Sequence, residues 1–172
     1  MLFRSAELAN LVTTTTATLD ANTGIGGAGV ADIDTAIGTL IATNRTSDDI
    51  FVQETDTLIV GGTGIQTLAG NGNINVDVDA GSLTVNSIVT AHGTGTVTLN
   101  ADAAAVTLNA AVSSTSGALQ VTGEIVAQKG DVRTDGAATV LFPADNRDRT
   151  KADRATTTSH PQLGRATAAA RG

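Results

Sequence analysis

The chain has 172 residues and a formal net charge of −7, which fits one domain or one section of a longer repetitive protein. Apolar residues make up 41% of it, but there are only 3 Phe and no Trp or Tyr, so we expect a narrow, aliphatic core. The absence of Cys excludes disulfides, thiol catalysis and Cys-based zinc sites.

The charge is unevenly distributed along the chain. Residues 1–143 carry 14 acidic and 4 basic side chains, whereas residues 144–172 carry 3 acidic and 6 basic ones. Because phosphate recognition needs a basic surface, the acidic body indicates that nucleic acid is not a partner. No run reaches the roughly 20 apolar residues of a membrane-spanning helix, so we expect no membrane-spanning segment in this chain.

Residues 1–17 form a non-repeat N-terminal end. Leu2–Ser5 are the residues that a common sequencing-adapter end encodes in one frame, so we expect the first five residues to be foreign to the protein. Met1–Asn10 also lacks the apolar segment of a secretory signal. If the parent protein is exported, we expect its signal to lie outside this chain.

Gly24, Gly26 and Gly29 match the G-x-G-x-x-G pattern with which a strand-to-helix turn binds a pyrophosphate. No amphipathic helix is predicted after them, because residues 33–40 continue an alternating β pattern. In a chain with 19 Gly we interpret the match as a turn of the repeat, and we predict no cofactor.

Short apolar-x-apolar triplets separated by Gly, Asn, Asp and Ser dominate residues 48–135 and indicate brief strands. Ile74–Val76 is followed nine residues later by Leu83–Val85, and Val97–Leu99 is followed nine residues later by Val106–Leu108. The second pair therefore repeats the first in full, and Leu119–Val121 continues the series after a further interval that is one residue shorter.

A period in the low twenties with short strands predicts an all-β fold, a right-handed parallel β-helix over residues 18–143 with about 22–25 residues per coil. An antiparallel sandwich is the alternative, but it does not explain two triplets nine residues apart inside a longer period. The residues expected to form inward columns are Ile74, Val76, Leu83, Val85, Val97, Leu99, Val106, Leu108, Leu119 and Val121. Asn86 and Asn109 occupy equivalent places and are expected to form a stacked amide ladder.

Residues 18–60 carry three further motifs. They are a T-G-I-G turn at Thr23–Gly26, an I-D-T-A-x-G-x-L strand pair at Ile33–Leu40 and a D-I-F-V strand at Asp49–Val52. This combination resembles the repeats of filamentous-haemagglutinin-like and autotransporter-type bacterial surface proteins, over about residues 18–136 with the coils that follow. The resemblance implies a right-handed parallel β-helix, export to the cell surface, and adhesion or scaffolding. It brings no catalytic residues.

Two stretches offer candidate calcium ligands. Residues 61–73 resemble a degenerate calcium-binding nonapeptide of the repeats-in-toxin type, but the place that needs Asp holds Gln66, and Asn75 in the next unit. Asp77 and Asp79 alternate with valines, so both carboxylates are expected to point outward from one strand. We interpret the first stretch as a Gly-rich turn between coils. We interpret the two carboxylates as a solvated strand face, with a weak surface calcium site as the alternative.

The remaining candidates are interpreted as structural. His92 and His160 have no second histidine or Ser–His–Asp spacing nearby, so both are expected to be exposed. Asn44–Thr46 matches an N-glycosylation sequon, which we interpret as a loop. From residue 144 onward the alternation ends, so residues 144–172 are predicted to be a disordered tail, or the product of a shifted reading frame.

The repeat predicts a passive role. Stacked coils form a stiff rod with acidic faces, so we expect a non-catalytic stalk or adhesive segment of a large, extracellular protein on a bacterial cell surface. The expected partners are host-cell, matrix or bacterial surfaces, and open strand edges favour self-association. The alternatives are a β-helix polysaccharide lyase or hydrolase, in which paired carboxylates act as acid and base, and a calcium-binding secreted repeat.

Overall fold

The computed structural model describes residues 11–12, 15–29, 31–136 and 140–141, and these residues form thirteen β-strands and no helix. The strands are β1 (Leu11–Val12), β2 (Thr16–Ile25), β3 (Ile33–Ala36), β4 (Thr39–Glu54), β5 (Leu58–Thr67), β6 (Ile74–Val78), β7 (Leu83–Val85), β8 (Val89–Ala91), β9 (Val97–Leu108), β10 (Val112–Ser114), β11 (Leu119–Gln128), β12 (Val132–Thr134) and β13 (Val140–Leu141). Nothing in this part of the chain is a helix long and apolar enough to cross a membrane. The predicted N-terminal end up to residue 10, the tail 144–172 and His160 lie outside the described residues.

The strands form where apolar and polar side chains alternate, because successive side chains of a strand point to opposite faces. In β6, Ile74, Val76 and Val78 are fully buried, whereas Asn75 and Asp77 between them are half-buried on the outer side. β7 follows the same rule with two buried side chains around one outward Thr. The strands are rich in Val, Ile and Thr, which suit a pleated, half-buried surface.

All pairings between the described strands are parallel, and each strand pairs with its counterpart one coil further along the chain. This confirms the predicted parallel β-solenoid and excludes the antiparallel sandwich. One column runs through Ile50, Ile74, Val97, Leu119 and Val140. The interval between neighbours in this column falls by one residue at each step, from 24 to 21.

Each coil has three faces, and the long strands bend from one face into the next. Face A contains β3, β6 and residues 50–54, 97–101 and 119–123 of β4, β9 and β11. Face B contains β7 and residues 39–40, 58–60, 106–108 and 126–128. Face C contains β8, β10, β12 and residues 42–44 and 65–67. The A–B corner follows face A, and the C–A corner precedes it.

The core lies inside this three-sided stack and is a set of vertical aliphatic columns. Ile74, Val97 and Leu119, at most 1% exposed, form one of them. Val52, Val76, Leu99 and Val121 form the next column on face A. Full burial of one such side chain contributes about 1.5–3 kcal/mol to folding.

A ladder of three glycines lies in the C–A corner. A Cβ atom on Gly95 would lie 2.1 Å from the carbonyl oxygen of Gly72, and one on Gly117 would lie 2.0 Å from the carbonyl oxygen of Gly95. Successive coils approach so closely here that only glycine fits. Each of the three glycines lies two residues before a face A strand, and one occurs in each coil. Their spacing is a second periodic feature of the sequence, beside the apolar triplets.

Candidate functional site

The candidate functional surface is the outer side of face A, together with the A–B corner beside it. One outward column contains Phe51, Asn75, Thr98 and Gln120, and the neighbouring column contains Asp34, Gln53, Asp77, Asn100 and Thr122. Apart from Phe51, stacking places one polar side chain over another in each column, about 4.8 Å apart. This surface contains the two carboxylates that the sequence singles out.

Asp77, Asp79 and Asp102 form an acidic cluster on this surface. Each of the three offers a carboxylate oxygen, and these oxygens all lie within 4.8 Å of one another. Asp77 is half-buried, and the other two are exposed. The outward direction predicted for Asp77 and Asp79 is what the structure shows, whereas Asp102 was not predicted. It occupies the place of Asp79 one coil later, because the residues before them, Val78 and Ala101, are paired.

Amide side chains engage the acidic cluster. Nδ2 of Asn100 donates to Oδ1 of Asp77 at 2.8 Å and to Oδ1 of Asp102 at 2.5 Å. Nε2 of Gln53 donates to both carboxylate oxygens of Asp79, at 2.9 and 3.0 Å. Hydrogen bonds to an ionised acceptor are about twice as strong as neutral ones, so these amides offset part of the repulsion between the carboxylates.

This bridge leaves the other amide atom of Asn100 without a partner. Oδ1 of Asn100 is buried and accepts no hydrogen bond, and it is the one such side-chain atom among the described residues. Turning the amide over would direct an oxygen at two carboxylates, which is worse than leaving one neutral acceptor unpaired. The unpaired oxygen is thus the consequence of gathering negative charge at this place.

The electrostatics of the cluster are dominated by burial and mutual repulsion. Burial is the main cause that raises the pKa of Asp77 above its ordinary value. The hydrogen bond from Asn100 opposes this rise, and the charges of Asp102 and Asp79 add to it. Neighbouring carboxyl groups, one of them with a raised pKa, are also the arrangement that acid–base catalysis on sugars uses.

The surroundings of the cluster are poor in basic and aromatic side chains. The face A strands among the described residues, 33–36, 50–54, 74–78, 97–101 and 119–123, contain no Lys, Arg or His, and Phe51 is their one aromatic residue. Of the basic residues elsewhere, Arg45 donates to Asp20 at 2.8 and 2.5 Å on a different face. Chemically, the surface offers carboxylate and amide oxygens to solvent or to a polar partner.

The glycine motif is part of the fold. Gly24, Gly26 and Gly29 have φ angles of 68°, 69° and 64°, in the left-handed region that favours glycine. Residues 26–29 and 31–32 belong to an irregular segment between β2 and β3, and the described residues after it form a strand. The predicted solenoid turn agrees with this geometry.

The predicted Gly-rich turn at residues 61–73 is more than one turn. Residues 61–67 continue β5, which bends from face B to face C at Gly62 and Gly64, with φ angles of 57° and 85°. The turn proper is the C–A corner at residues 68–73, before β6. Gln66, at the place of the missing calcium ligand, donates instead to the carbonyl oxygen of Thr63 at 2.8 Å.

The sequon asparagine is not a loop residue. Asn44 ends the face C part of β4, and its side chain is only 1% exposed. Its Nδ2 donates to the carbonyl oxygens of Ser47 and Asp48 at 2.7 and 2.6 Å, and its Oδ1 accepts from the backbone N–H of Gly24 at 3.3 Å. Asn44 is therefore a corner residue whose side chain holds the segment after it and is inaccessible to a glycan. His92 is exposed in a turn, as predicted.

The asparagine pair lies after the face B strands. Nδ2 of Asn109 donates to Oδ1 of Asn86 at 2.9 Å, which is the amide-to-amide contact that a ladder requires. The backbone N–H groups of both residues donate to face B carbonyl oxygens of the preceding coil, Val60 for Asn86 and Val85 for Asn109. The pair therefore joins two successive coils at the end of face B.

One buried carboxylate was missed by the sequence analysis. Glu54 is 0% exposed and points into the core at the end of β4. Two signals could have found it: it continues the inward alternation after Ile50 and Val52, and it lies one repeat period before Val78, its paired residue in the next coil. Glu54 was overlooked because the apolar-x-apolar triplet ends at Val52, two residues before it.

No family model, no curated protein and no solved structure matches the chain. The solenoid architecture therefore rests on strand register, and no relative assigns a role to any of these residues.

Proposed function

We propose that this chain is a non-catalytic stalk segment of a large bacterial cell-surface or secreted protein of the filamentous-haemagglutinin-like or autotransporter type. The observation that supports this most is the single unbroken stack of about five coils around one aliphatic core. Such a stack extends along one axis, and each coil contacts only its neighbours, as an elongated stalk requires. The outer columns of face A offer the surface for adhesion.

A stalk must carry load along its axis. When the full chain is pulled by its two ends, we expect extension in increments of roughly 70–85 Å, the reach of one coil. A helical-bundle protein linked in the same molecule provides the internal force standard. Unfolding of this chain at a lower force than the bundle would contradict the stalk function.

Adhesion requires a separate measurement. Beads coated with the full chain should bind host cells, matrix proteins or bacterial cells more than beads coated with a non-repetitive protein of equal negative charge. The triple variant Asp77→Asn, Asp79→Asn and Asp102→Asn should bind less if the acidic cluster takes part. If the chain withstands force but its beads bind none of these surfaces, the stalk function stands and the adhesive role is wrong.

The first alternative is a polysaccharide lyase or hydrolase. We expect no release of reducing or unsaturated ends when the full chain is incubated with polygalacturonate or another acidic polysaccharide. Glu124→Gln, a change on an exposed corner, is the control. If the polysaccharide is cleaved, and cleavage is lost in Asp77→Asn but retained in Glu124→Gln, the chain is an enzyme and the non-catalytic proposal is wrong.

The second alternative is a calcium-responsive repeat. Selective binding to the folded form must raise stability, so thermal melts with calcium and with a chelator test it. Because amide donors already engage the three carboxylates, we expect equal Tm values in both solutions. A higher Tm with calcium, absent in Asp102→Asn, would favour the alternative.

Self-association follows from the same architecture. Strands at the top and bottom of a solenoid present backbone groups to any further strand. We therefore expect the isolated chain to form oligomers in sedimentation velocity experiments. A monodisperse monomer would show that the edges are covered.

A further inference from the structure

Glu54 joins the first coil, residues 16–38, to the second coil, residues 39–57. Oε2 of Glu54 accepts from the hydroxyl of Thr35 at 2.6 Å, and both carboxyl oxygens accept from the backbone N–H of Ile37 at 3.1 Å. Thr35 and Ile37 lie where the first coil turns from face A to face B. The N–H of Asp56 in the second coil is a third donor, at 3.4 Å from Oε1.

The same carboxyl group also accommodates a proton. The hydroxyl of Thr35 lies within hydrogen-bonding distance of two acceptors, Glu54 and the carbonyl oxygen of Gln53 at 2.9 Å, but it has one proton. If Glu54 is protonated, Oε2 donates to the Thr35 oxygen, and the Thr35 proton turns to Gln53. Oε1 continues to accept from Ile37. Both charge states are therefore satisfied without movement of the backbone.

The charged groups around Glu54 are all acidic. Asp56 follows it in the same corner, β3 carries Asp34, and β6 carries Asp77 with Asp79 just after it. Asp34 and Asp77 alternate with inward residues and lie on the outer side of the sheet, and β5 carries no charged residue. The neighbouring strands β3, β5 and β6 carry no basic side chain, and Arg45 of β4 pairs with Asp20. A negative charge on Glu54 therefore has hydrogen-bond donors but no counter-ion.

We propose that Glu54 is a proton-sensitive latch, which holds the A–B corner of the first coil more firmly when its carboxyl group is protonated. The device goes beyond a stalk function, because it makes the cohesion of one particular coil depend on the acidity of the medium. Coils are stabilised by nearest-neighbour contacts, so loosening this joint opens the first coil and leaves the others stacked.

The direction of the effect follows from burial. Burial raises the pKa of Glu54 above its ordinary value, the hydrogen bonds from Thr35, Ile37 and Asp56 oppose the rise, and the charge of Asp56 adds to it. A carboxyl with a higher pKa in the folded state contributes stability that is fully present below its unfolded pKa. That contribution is lost as the pH rises through the folded pKa. A fall in pH therefore tightens the latch, and a rise in pH loosens it.

Amide hydrogen exchange of the full chain tests the latch. The probe is the protection of the amides of residues 35–38, compared between wild type and Glu54→Gln at each pH so that intrinsic exchange rates cancel. Gln mimics the protonated acid, since its Nε2 can donate to Thr35 while its Oε1 accepts from Ile37. We expect wild-type protection to fall relative to Glu54→Gln as the pH rises, tenfold for each unit between the open and closed pKa values.

Two further variants control the result. Glu124→Gln makes the same change on an exposed corner and should keep the wild-type pH profile, and Asp32 and Asp77, whose pKa values are also raised, remain in all variants. Thr35→Val removes a donor that lowers the pKa of Glu54 in the closed coil, so its loss of protection should continue to a higher pH before it levels off. An unchanged profile in Glu54→Gln would overturn the proposal. If Glu54→Gln does not fold, a loss of protection that levels off at the wild-type pH in Thr35→Val overturns it instead.

Discussion

The central coils and the first two coils solve the same packing problem in different ways. In the central coils, the inner positions at the end of face A hold Val78, Ala101 and Gly123, which are apolar or lack a side chain. In the first two coils the same column holds Thr35 and Glu54, both 0% exposed. The stack thus tolerates a polar pair inside one corner, provided that all donors and acceptors find partners.

Stability and specificity have different sources in these two regions of the fold. The central coils gain their cohesion from area, since each aliphatic side chain removes the same kind of surface from water. The contact between the first and second coils gains its cohesion from a fixed set of hydrogen bonds. Each of these adds less net stability, but removing one partner leaves the other unpaired and lowers stability strongly. Substitutions in the two regions should therefore differ in size and in dependence on pH.

The largest effect is expected in the central column. Leu99→Ala leaves a cavity between Val76 and Val121 and should lower the free energy of unfolding by about 2–5 kcal/mol. Ile33→Ala, at the same column position in the first coil, should cost less because Ile33 is only half-buried. Denaturant unfolding gives the free energy of unfolding of both variants. Equal losses would contradict the distinction between the two regions.

The glycine ladder should give the next effect. Gly95→Ala brings a Cβ within 2.1 Å of the Gly72 carbonyl oxygen, so the coils must separate locally, at about 3 kcal/mol. Thr94→Ala, an exposed change in the same turn, is the matched control and should be nearly neutral. Equal Tm values for Gly95→Ala and Thr94→Ala in thermal melts would contradict the close approach of the coils at Gly95.

In the first joint, Glu54→Leu should cost about 2 kcal/mol at neutral pH, because the buried N–H of Ile37 loses its acceptor. Glu54→Gln keeps that acceptor and should be close to wild type. Chemical denaturation at one fixed pH compares the two variants. A Leu variant as stable as the Gln variant would mean that volume, not hydrogen bonding, matters at this corner.

The smallest effect is expected on the outer surface. Asp102→Asn removes one of three neighbouring negative charges while its Oδ1 can still accept from Asn100. The free energy of unfolding should rise by about 0.5 kcal/mol, and less in high salt. A loss of stability that persists at every salt concentration would show that the carboxylate has a structural partner.

The sequence was sufficient for the fold because the fold is repetitive. The nine-residue offset between triplets inside a coil and their recurrence from coil to coil specify both the strand length and the pairing register, as the column through Ile74, Val97 and Leu119 shows. The same recurrence also predicts Asn86 next to Asn109. Any feature that recurs from coil to coil can be predicted in this way, because residues one period apart in the sequence lie next to each other in the stack.

Features that occur once were beyond this reasoning. Asn44 was interpreted as a loop residue because a sequon has no period, and nothing in its neighbourhood shows that its amide closes a corner. Glu54 was overlooked because charged residues are rarely buried, and its partners Thr35 and Ile37 are 19 and 17 residues away. Asp102 is different, because the register of β6 and β9 places it at the position of Asp79 one coil later, and the period could have predicted it. The contacts of Asn44 and Glu54 join unlike residues, so no recurrence announces them.

The spacing between stacked residues differs from face to face. On face A it falls from 24 to 21 residues between Ile50 and Val140, whereas on face B it is 20, 25, 23 and 20 residues from Thr39 to Ala127. Successive coils therefore hold their extra residues at different corners, so they are not interchangeable building blocks. Deleting or duplicating a whole coil would stack corners of unequal length, and should disturb the structure more than the repeated inward triplets suggest.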